Sequence, residues 1–370
     1  MKLVRASEAD SQRLKTFFAR MVLPGPIDFT IERVDNFFAH YRAQSDDFET
    51  LMLLEDDGEI AGMATLVFRE GLIDGKKQTW GYATDLRVAP TRRAVVQWSQ
   101  HFLPVFERAC ESRRCEFVFS ALQQYDNKAY NALLRPQATR RRLPRYYLLS
   151  RFHAVTLHGR RPFAPKPLEG IRVTAAETKD VDAMCAYYRA KAVKRPVALI
   201  YEPERFLGRL HRWPGLRLSD FRIARDISGN ILGIAALWDQ RCVQNYVPQT
   251  YKGLAHTAHQ TLNMASWLGI ARPFAQPLKP MPMRFLTHLA CETPEAFHSL
   301  VDEAFSRLGK KEFLVYGHMR GHYRTLPPKG YFSTTLPYGL YVVLPPTSQP
   351  PEWLIPGPQS LPPEFEIAWL

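Results

Sequence analysis

Two copies of one α/β domain, each a mixed and mainly antiparallel sheet flanked by helices, are the architecture this sequence predicts, and three observations lead there. The first is internal recurrence. "VRASEAD" from Val4 and "VTAAETKD" from Val173 each run into an amphipathic helical pattern, and "GEIAGMATL" from Gly58 matches "GNILGIAAL" from Gly229 in five of nine positions. The offsets, 169 and 171 residues, are nearly constant, as duplication requires. The second is the order of periodicities along each copy. The third is composition: 370 residues with 46% hydrophobic and 23% charged content hold enough apolar surface for two ordinary domains. The apolar run "ILGIAALW" is far shorter than the ~20 residues of a membrane span, and the charged start "MKLVRASEAD" has no apolar leader. No membrane span and a cytoplasmic location are therefore expected.

The elements of the first copy follow from spacing and punctuation. "KLVRA" reads as a strand, Ser11 to Met21 as a helix with Leu14, Phe17 and Phe18 inward, and Ile31 to Tyr41 as a second helix with Val34, Phe37 and Phe38 inward. "TLMLLED", a turn at Asp57-Gly58 and "EIAGMATLVFRE" form a hairpin, and "TWGYATDLRVA" is a long strand ending at Pro90. Val95, Val96, Trp98, Phe102, Val105, Phe106 and Ala109 mark a helix with Pro104 as a kink. "CEFVFSAL", a short helix "DNKAYNALL" and "YYLLSRFHAVTL" close the copy as strand, helix and strand. The expected domains are 1–158 and 171–344, joined by a basic, proline-rich linker at 159–170. A long insertion at 244–283 suits a cover over a groove between the copies, and a proline-rich tail at 345–370 ends in "FEIAWL", apolar enough to dock.

That order of elements resembles the GNAT superfamily of acyl-CoA-dependent N-acyltransferases, over nearly the whole chain. The family's cofactor segment runs V-x-P-x-x-R-G-x-G-x-G/A, and Val88, Pro90 and Arg93 fall on its first three fixed positions. Its three small positions fall on Ala94, Val96 and Trp98. The resemblance implies two tandem GNAT-like domains, acetyl-CoA or another acyl-CoA as cofactor, and a small-molecule or peptide amine as acceptor. It assigns Val88, Arg92, Arg93, Ala94, Val96 and Asn127 to cofactor binding. Glycines in that loop let backbone N–H groups approach a diphosphate at a helix N-terminus; Val96 and Trp98 put side-chain volume there, leaving Arg92 and Arg93 to hold phosphate by charge. In the second copy "LACETPEAF" lacks both the basic residue and the glycines, so that copy reads as a pseudo-domain.

Acyl transfer to an amine needs a proton acceptor and an acid for the leaving thiolate. Asp85, in "DLRV", stands where many family members place a carboxylate facing the amine, and Tyr130 is the candidate acid, with Tyr125 beside it. His318 and His322 stand four apart without an acid pair, and five cysteines show no CxxC spacing; neither a metal nor a disulfide framework is expected.

Ten of the thirteen net positive charges fall between Asn127 and Leu168, where no Asp or Glu occurs. Such a segment attracts nucleic acid, an acidic lipid surface or a phosphorylated cofactor. Arg140, Arg141, Arg142 and Arg145 suit tRNA phosphates, which keeps an aminoacyl-tRNA-dependent transferase open as an alternative. A non-catalytic binding or scaffold protein of the same fold is the third class.

Overall fold

The computed structural model describes residues 1–124, 133–134, 143–165, 169–355 and 360–370. Its first half runs β1 (Lys2–Arg5), α1 (Ser11–Arg20), β2 (Ile27–Arg33), α2 (Ala39–Arg42), β3 (Asp47–Leu54), β4 (Ile60–Ile73), β5 (Lys76–Val88), α3 (Arg92–Ser112), β6 (Phe117–Gln123) and β7 (Arg145–Arg160). The second runs β8 (Arg172–Ala175), α4 (Val181–Ala192), β9 (Val197–Leu199), α5 (Pro203–Arg212), β10 (Phe221–Arg225), β11 (Ile231–Trp238), β12 (Gln244–Tyr251), α6 (Leu254–Trp267), β13 (Met283–Cys291), α7 (Pro294–Ser306), β14 (Phe313–Met319) and β15 (Tyr331–Leu344).

One large, mainly antiparallel sheet carries both halves, in the order β1-β3-β4-β5-β6-β15-β7-β14-β13-β11-β10-β8. Read inward from either edge the order is the same: β1, β3, β4, β5, β6 on one side and β8, β10, β11, β13, β14 on the other. At the middle the halves exchange their last strands. β15 pairs with β6, β7 pairs with β14, and β7 and β15 pair with each other along nearly their whole length. Neither half therefore closes its own sheet, and the exchange merges them into one body.

The two recurring blocks occupy matching places. Gly58 (φ 87°) and Gly229 (φ 85°) turn the β3–β4 and β10–β11 hairpins in the left-handed region that glycine enters without strain. Gly62 and Gly233 lie under α3 and α7: an added Cβ would meet Trp98 at 3.1 Å and Leu300 at 3.0 Å. Both helices begin alike, with the Thr91 and Thr293 hydroxyls each accepting from the N–H of an alanine three residues on, at 3.2 Å. Each helix crosses between two parallel strands, β5 to β6 and β13 to β14.

The helix expected over Ile31–Tyr41 is replaced by β2, which reaches Arg33, and by the single turn α2. The reason is a partner distant in sequence. β12, from the insertion at 244–283, pairs with β2 and sets Ile31 opposite Tyr246 and Arg33 opposite Gln244. Its ladder of hydrogen bonds overrides a local spacing that fits a helix. Phe37, Phe38 and Tyr41 still reach the core, from the turn rather than from a helix face.

The tail returns to the middle of the molecule. Ile367, Ala368 and Trp369 are buried, and the Arg69 guanidinium lies over the rings of Trp369 and Trp80, at 4.0 and 4.8 Å. The "LWDQR" segment forms a network: Arg241 and Arg284 join Asp239 to Glu312, while the Gln240 amide donates to the Ala368 carbonyl at 2.8 Å.

Candidate functional site

Each half contains a wedge. β5 and β6 pair only where Trp80–Tyr82 face Phe117–Phe119, and β13 and β14 only where Met283–Phe285 face Phe313–Val315; beyond these residues the partners diverge. At the divergence each strand carries a bulge on its other edge. The β4–β5 register slips between Met63 and Thr65, with Asp85 at φ 55°, and the β11–β13 register slips between Ile234 and Ala236, with His288 at φ 52°. A non-glycine residue at such an angle is strained, and a bulge turns its side chain away from the ordinary alternation.

In the first wedge the bulge turns Asp85 into a buried cluster. Its carboxylate is ion-paired with Arg33, accepts from the Tyr41 hydroxyl at 2.7 Å and lies 3.9 Å from Arg87. Burial works to raise this carboxyl, but the charges of Arg33 and Arg87, with the Tyr41 hydrogen bond among the further contributions, outweigh it and hold the group below the ordinary carboxylate range. Arg33 also donates to Gln244, whose amide donates to the Tyr246 hydroxyl at 3.0 Å and to the main-chain oxygen of Leu370 at 3.1 Å. Asp85 is thus an engaged carboxylate tying the bulge to β2 and the insertion. Its partner Arg33, and Gln244 bonded in turn to Arg33, escaped sequence reading because they sit on paired strands 211 residues apart.

In the second wedge the tail takes the equivalent place. The His288 N–H donates to the Glu366 carboxyl at 2.7 Å, and the Tyr188 hydroxyl donates to the His288 carbonyl at 2.6 Å. Burial and the neighbouring Glu364 push the Glu366 carboxyl up to about 8, against the His288 N–H bond, and burial lowers the His288 imidazole to about 3. Both groups are neutral at pH 7. Residues 362–367 leave a space of only about 70 Å³ in this wedge. Coverage separates the wedges: Ala83, Thr84 and Leu86–Val88 stay half-exposed, while 286–288, Ala290 and Cys291 are buried.

A cavity of about 640 Å³ lies on the central sheet, roofed by the β2–β12 pair and α6. Its lining is mostly apolar, with Phe29, Ala154, Phe274, Phe285, Val315 and Leu336 among its walls. It reaches β6 at Gln123, on the strand that forms one side of the first wedge, and ends against Tyr246, Tyr338 and Leu370. Thr334 also lines it, and the buried His158 shares a 2.8 Å hydrogen bond with the Thr334 hydroxyl. β12 and α6 of this roof come from the segment at 244–283, and β2 supplies the rest.

The loop residues lie at the outer end of the first wedge. Val88 ends β5 opposite Gly62, and Ala94 is fully buried in the first turn of α3. Arg93 pairs with Asp56 at 2.6 Å and with Glu55 at 3.8 Å; Arg92 and Val96 face solvent. Trp98 does not obstruct a phosphate, contrary to the sequence reading. It points into the core, stacked on Phe102 at 5.3 Å, because its position in α3 faces the sheet. Asn127, Tyr125, Tyr130, Arg140, Arg141 and Arg142 lie outside the described residues, and Arg145 begins β7 with an exposed side chain. His318 and His322 both bond the Thr325 hydroxyl, and no group of metal-ligating side chains occurs among the described residues.

No family model matches the chain, and no curated protein matches it in sequence. Solved structures match its fold. Two structures of Saccharomyces cerevisiae N-myristoyltransferase with bound myristoyl-CoA align over 92% of this chain. One is covered over 78% of its own length at a TM-score of 0.57 and 8% identity, the other over 82% at 0.54 and 10%. A GCN5-related N-acetyltransferase from Sphaerobacter thermophilus aligns over 86% of this chain and 96% of its own, at a TM-score of 0.48 and 14% identity. The chain shares the fold of these N-myristoyltransferase structures, a large, mainly antiparallel sheet flanked by helices.

Proposed function

We propose that the chain is an acyltransferase that moves an apolar acyl group from a thioester donor to an amine, with the acyl chain housed in the central cavity. The observation that carries this reading is the apolar cavity of about 640 Å³ reaching Gln123 at the diverging end of β6. In a wedge the facing edges of β5 and β6 do not pair with each other, and an extended, amide-bearing arm such as the pantetheine of acyl-CoA satisfies such edges as an added strand does. The bound myristoyl-CoA of the yeast structures, which share the fold, supports the same class of donor.

The diphosphate of CoA fits this chain less well than its arm does. Thr91 occupies the Ala94 N–H, and Arg93 is committed to Asp56 and Glu55, so Arg92 is the loop's main contribution to a phosphate. The donor is therefore held chiefly by arm and chain. In the transfer the amine nitrogen forms a bond to the thioester carbonyl carbon, the carbon–sulfur bond breaks, and the proton lost by the amine balances the one taken up by the thiolate. Asp85, ionised between Arg33 and Tyr41, is assigned to positioning the bulge.

Calorimetry with acetyl-CoA and dodecanoyl-CoA tests the reading. Each buried methylene contributes about 0.8 kcal/mol, so the long chain is expected to bind at least tenfold more tightly. Ala258→Trp, which fills the cavity, is expected to remove that advantage while leaving acetyl-CoA binding unchanged. Equal affinity for the two thioesters, or a long-chain advantage that survives Ala258→Trp, overturns the placement of the chain; no binding of either overturns the function.

A further inference from the structure

Helix α6 lies between the cavity and solvent, and its outer side is unusual. Leu254, Ala255 and Ala258 border the cavity and Leu262 is buried, while Met264, Trp267 and the adjoining Leu268 are 71%, 88% and 64% exposed. Its 14 residues include no Asp, Glu, Lys or Arg. A solvent-facing helix ordinarily carries charge on its outer face. Isolated exposed apolar residues need no explanation, but a large aromatic and two large aliphatic residues within five positions form a patch.

The two stretches of chain beside this patch carry no acid of their own, and Asp28 and Asp302, brought to them by the fold, are paired with Lys252 and Arg160. Residues 240–291 contain no Asp or Glu, and 127–168 contain none either. The fold brings these two acid-free stretches together. Arg272 N–H donates to the His158 carbonyl at 2.6 Å, and an added Cβ on Gly159 would lie 2.8 Å from the Ile270 carbonyl oxygen. From that contact the chain runs on to Arg161 and to Phe163, which is fully exposed. Gly330 packs on Ala164 and places Lys329 beside them, and the Tyr251 hydroxyl bonds Ala275 and ties in the turn bearing Lys279. Arg161, Lys279 and Lys329 are exposed and make no ion pair among the described residues.

We propose that α6 and the neighbouring 161–163 segment form a docking surface for an anionic lipid bilayer, with Met264, Trp267 and Leu268 entering the interface and Arg161, Lys279 and Lys329 meeting the headgroups. Charge complementarity selects this occupant: an uncharged amphipathic helix with an interfacial tryptophan, bordered by stretches without acids and by the exposed cations Arg161, Lys279 and Lys329, unpaired among the described residues, matches a negatively charged membrane surface. No helix among the described residues is long and apolar enough to cross a membrane, so the association is peripheral. The inference goes beyond acyl transfer and does not depend on it, although the cavity directly beneath α6 would receive apolar chains from that side.

The test is sedimentation of the full chain with vesicles of phosphatidylcholine alone and of phosphatidylcholine with phosphatidylglycerol, at low and high salt. Binding to the anionic vesicles is expected to exceed binding to the neutral ones at least tenfold and to fall in high salt. The Met264→Ser, Trp267→Ser, Leu268→Ser combination is expected to lose at least tenfold in binding with an unchanged melting temperature, because the three side chains are exposed. Arg161→Gln with Lys279→Gln and Lys329→Gln is expected to weaken binding several-fold and flatten its salt dependence. Equal binding to both vesicle types, or full binding by the serine variant, overturns the proposal. So does a dimer in solution that the serine variant disperses without any vesicle binding, which would assign the patch to a second copy of the chain. Acyl-CoA binding, measured separately, can fail while vesicle binding holds.

Discussion

The two bulged strands, β5 and β13, share a backbone device and use it in opposite ways. Each carries a non-glycine residue in the left-handed region, a slipped register and a diverging partner. At the first bulge a carboxylate is held ionised by a buried arginine; at the second a neutral histidine meets a protonated carboxyl delivered by the tail. The first wedge stays half-exposed, and the second is filled. The two halves therefore share the frame that makes a wedge and not the contents of the wedge. One copy can keep a ligand site while the other provides the floor and plug of a shared core.

The largest expected effect separates the charge states of the two bulges. Asp85→Asn leaves the Arg33 guanidinium buried without its counter-charge, and breaking such a pair costs about 3–5 kcal/mol. Urea denaturation should show that loss, while Asp85→Asn combined with Arg33→Met should recover much of it. A loss under about 1 kcal/mol would mean that the ion pair does not hold the first bulge.

Glu366 tests the other side through pH. Folding keeps its proton on up to about pH 8, whereas its ordinary value is 4.5. Between those values the folded state binds more protons than the unfolded chain, so this group makes stability fall as pH rises across that window. The slope is at most about 1.4 kcal/mol per pH unit. Glu366→Gln keeps an acceptor for the His288 N–H and should remove this contribution, so that the variant gains on the parent from pH 5 to pH 8. Parallel stability curves for the two proteins would show that Glu366 is ionised in its wedge.

Two smaller comparisons test the equivalence of the halves. Gly62→Val and Gly233→Val each push a side chain against the crossing helix, and overpacking of this kind costs about 1–3 kcal/mol. Similar losses are expected at both sites; a loss at one alone would mean that the helices are not seated alike. Thr91→Ala and Thr293→Ala remove matching helix caps, worth about 1 kcal/mol each. Thermal melts should report nearly equal shifts, and a shift at Thr91 that vanishes in the presence of an acyl-CoA would show that the α3 N-terminus also serves the donor.

Much of this architecture was legible in residue patterns because it is built from local signals. The hairpin glycines Gly58 and Gly229, the Leu14 and Phe18 spacing of α1 and the Thr-Pro-Glu start of α7 declare themselves within a few residues. The order of elements needs no knowledge of which strands meet. β2 was not legible, since the pattern of Val34, Phe37 and Phe38 suits a helix and only β12, more than 200 residues away, supplies its ladder. Trp98 was assigned to a phosphate-facing loop because alignment to a motif carries no direction for a side chain.

The sequence by itself determined the recurring blocks, the α/β order, the position of the basic stretch and the identity of Asp85 as a residue of interest. Only the tertiary structure decided that Asp85 is paired with Arg33, that the halves exchange their last strands, that the tail enters one wedge and that an apolar cavity opens beneath α6. The physical reason is range. Periodicity, turns and caps depend on neighbours along the chain, whereas ionisation, strand exchange and cavities depend on which distant groups share a region from which water is excluded.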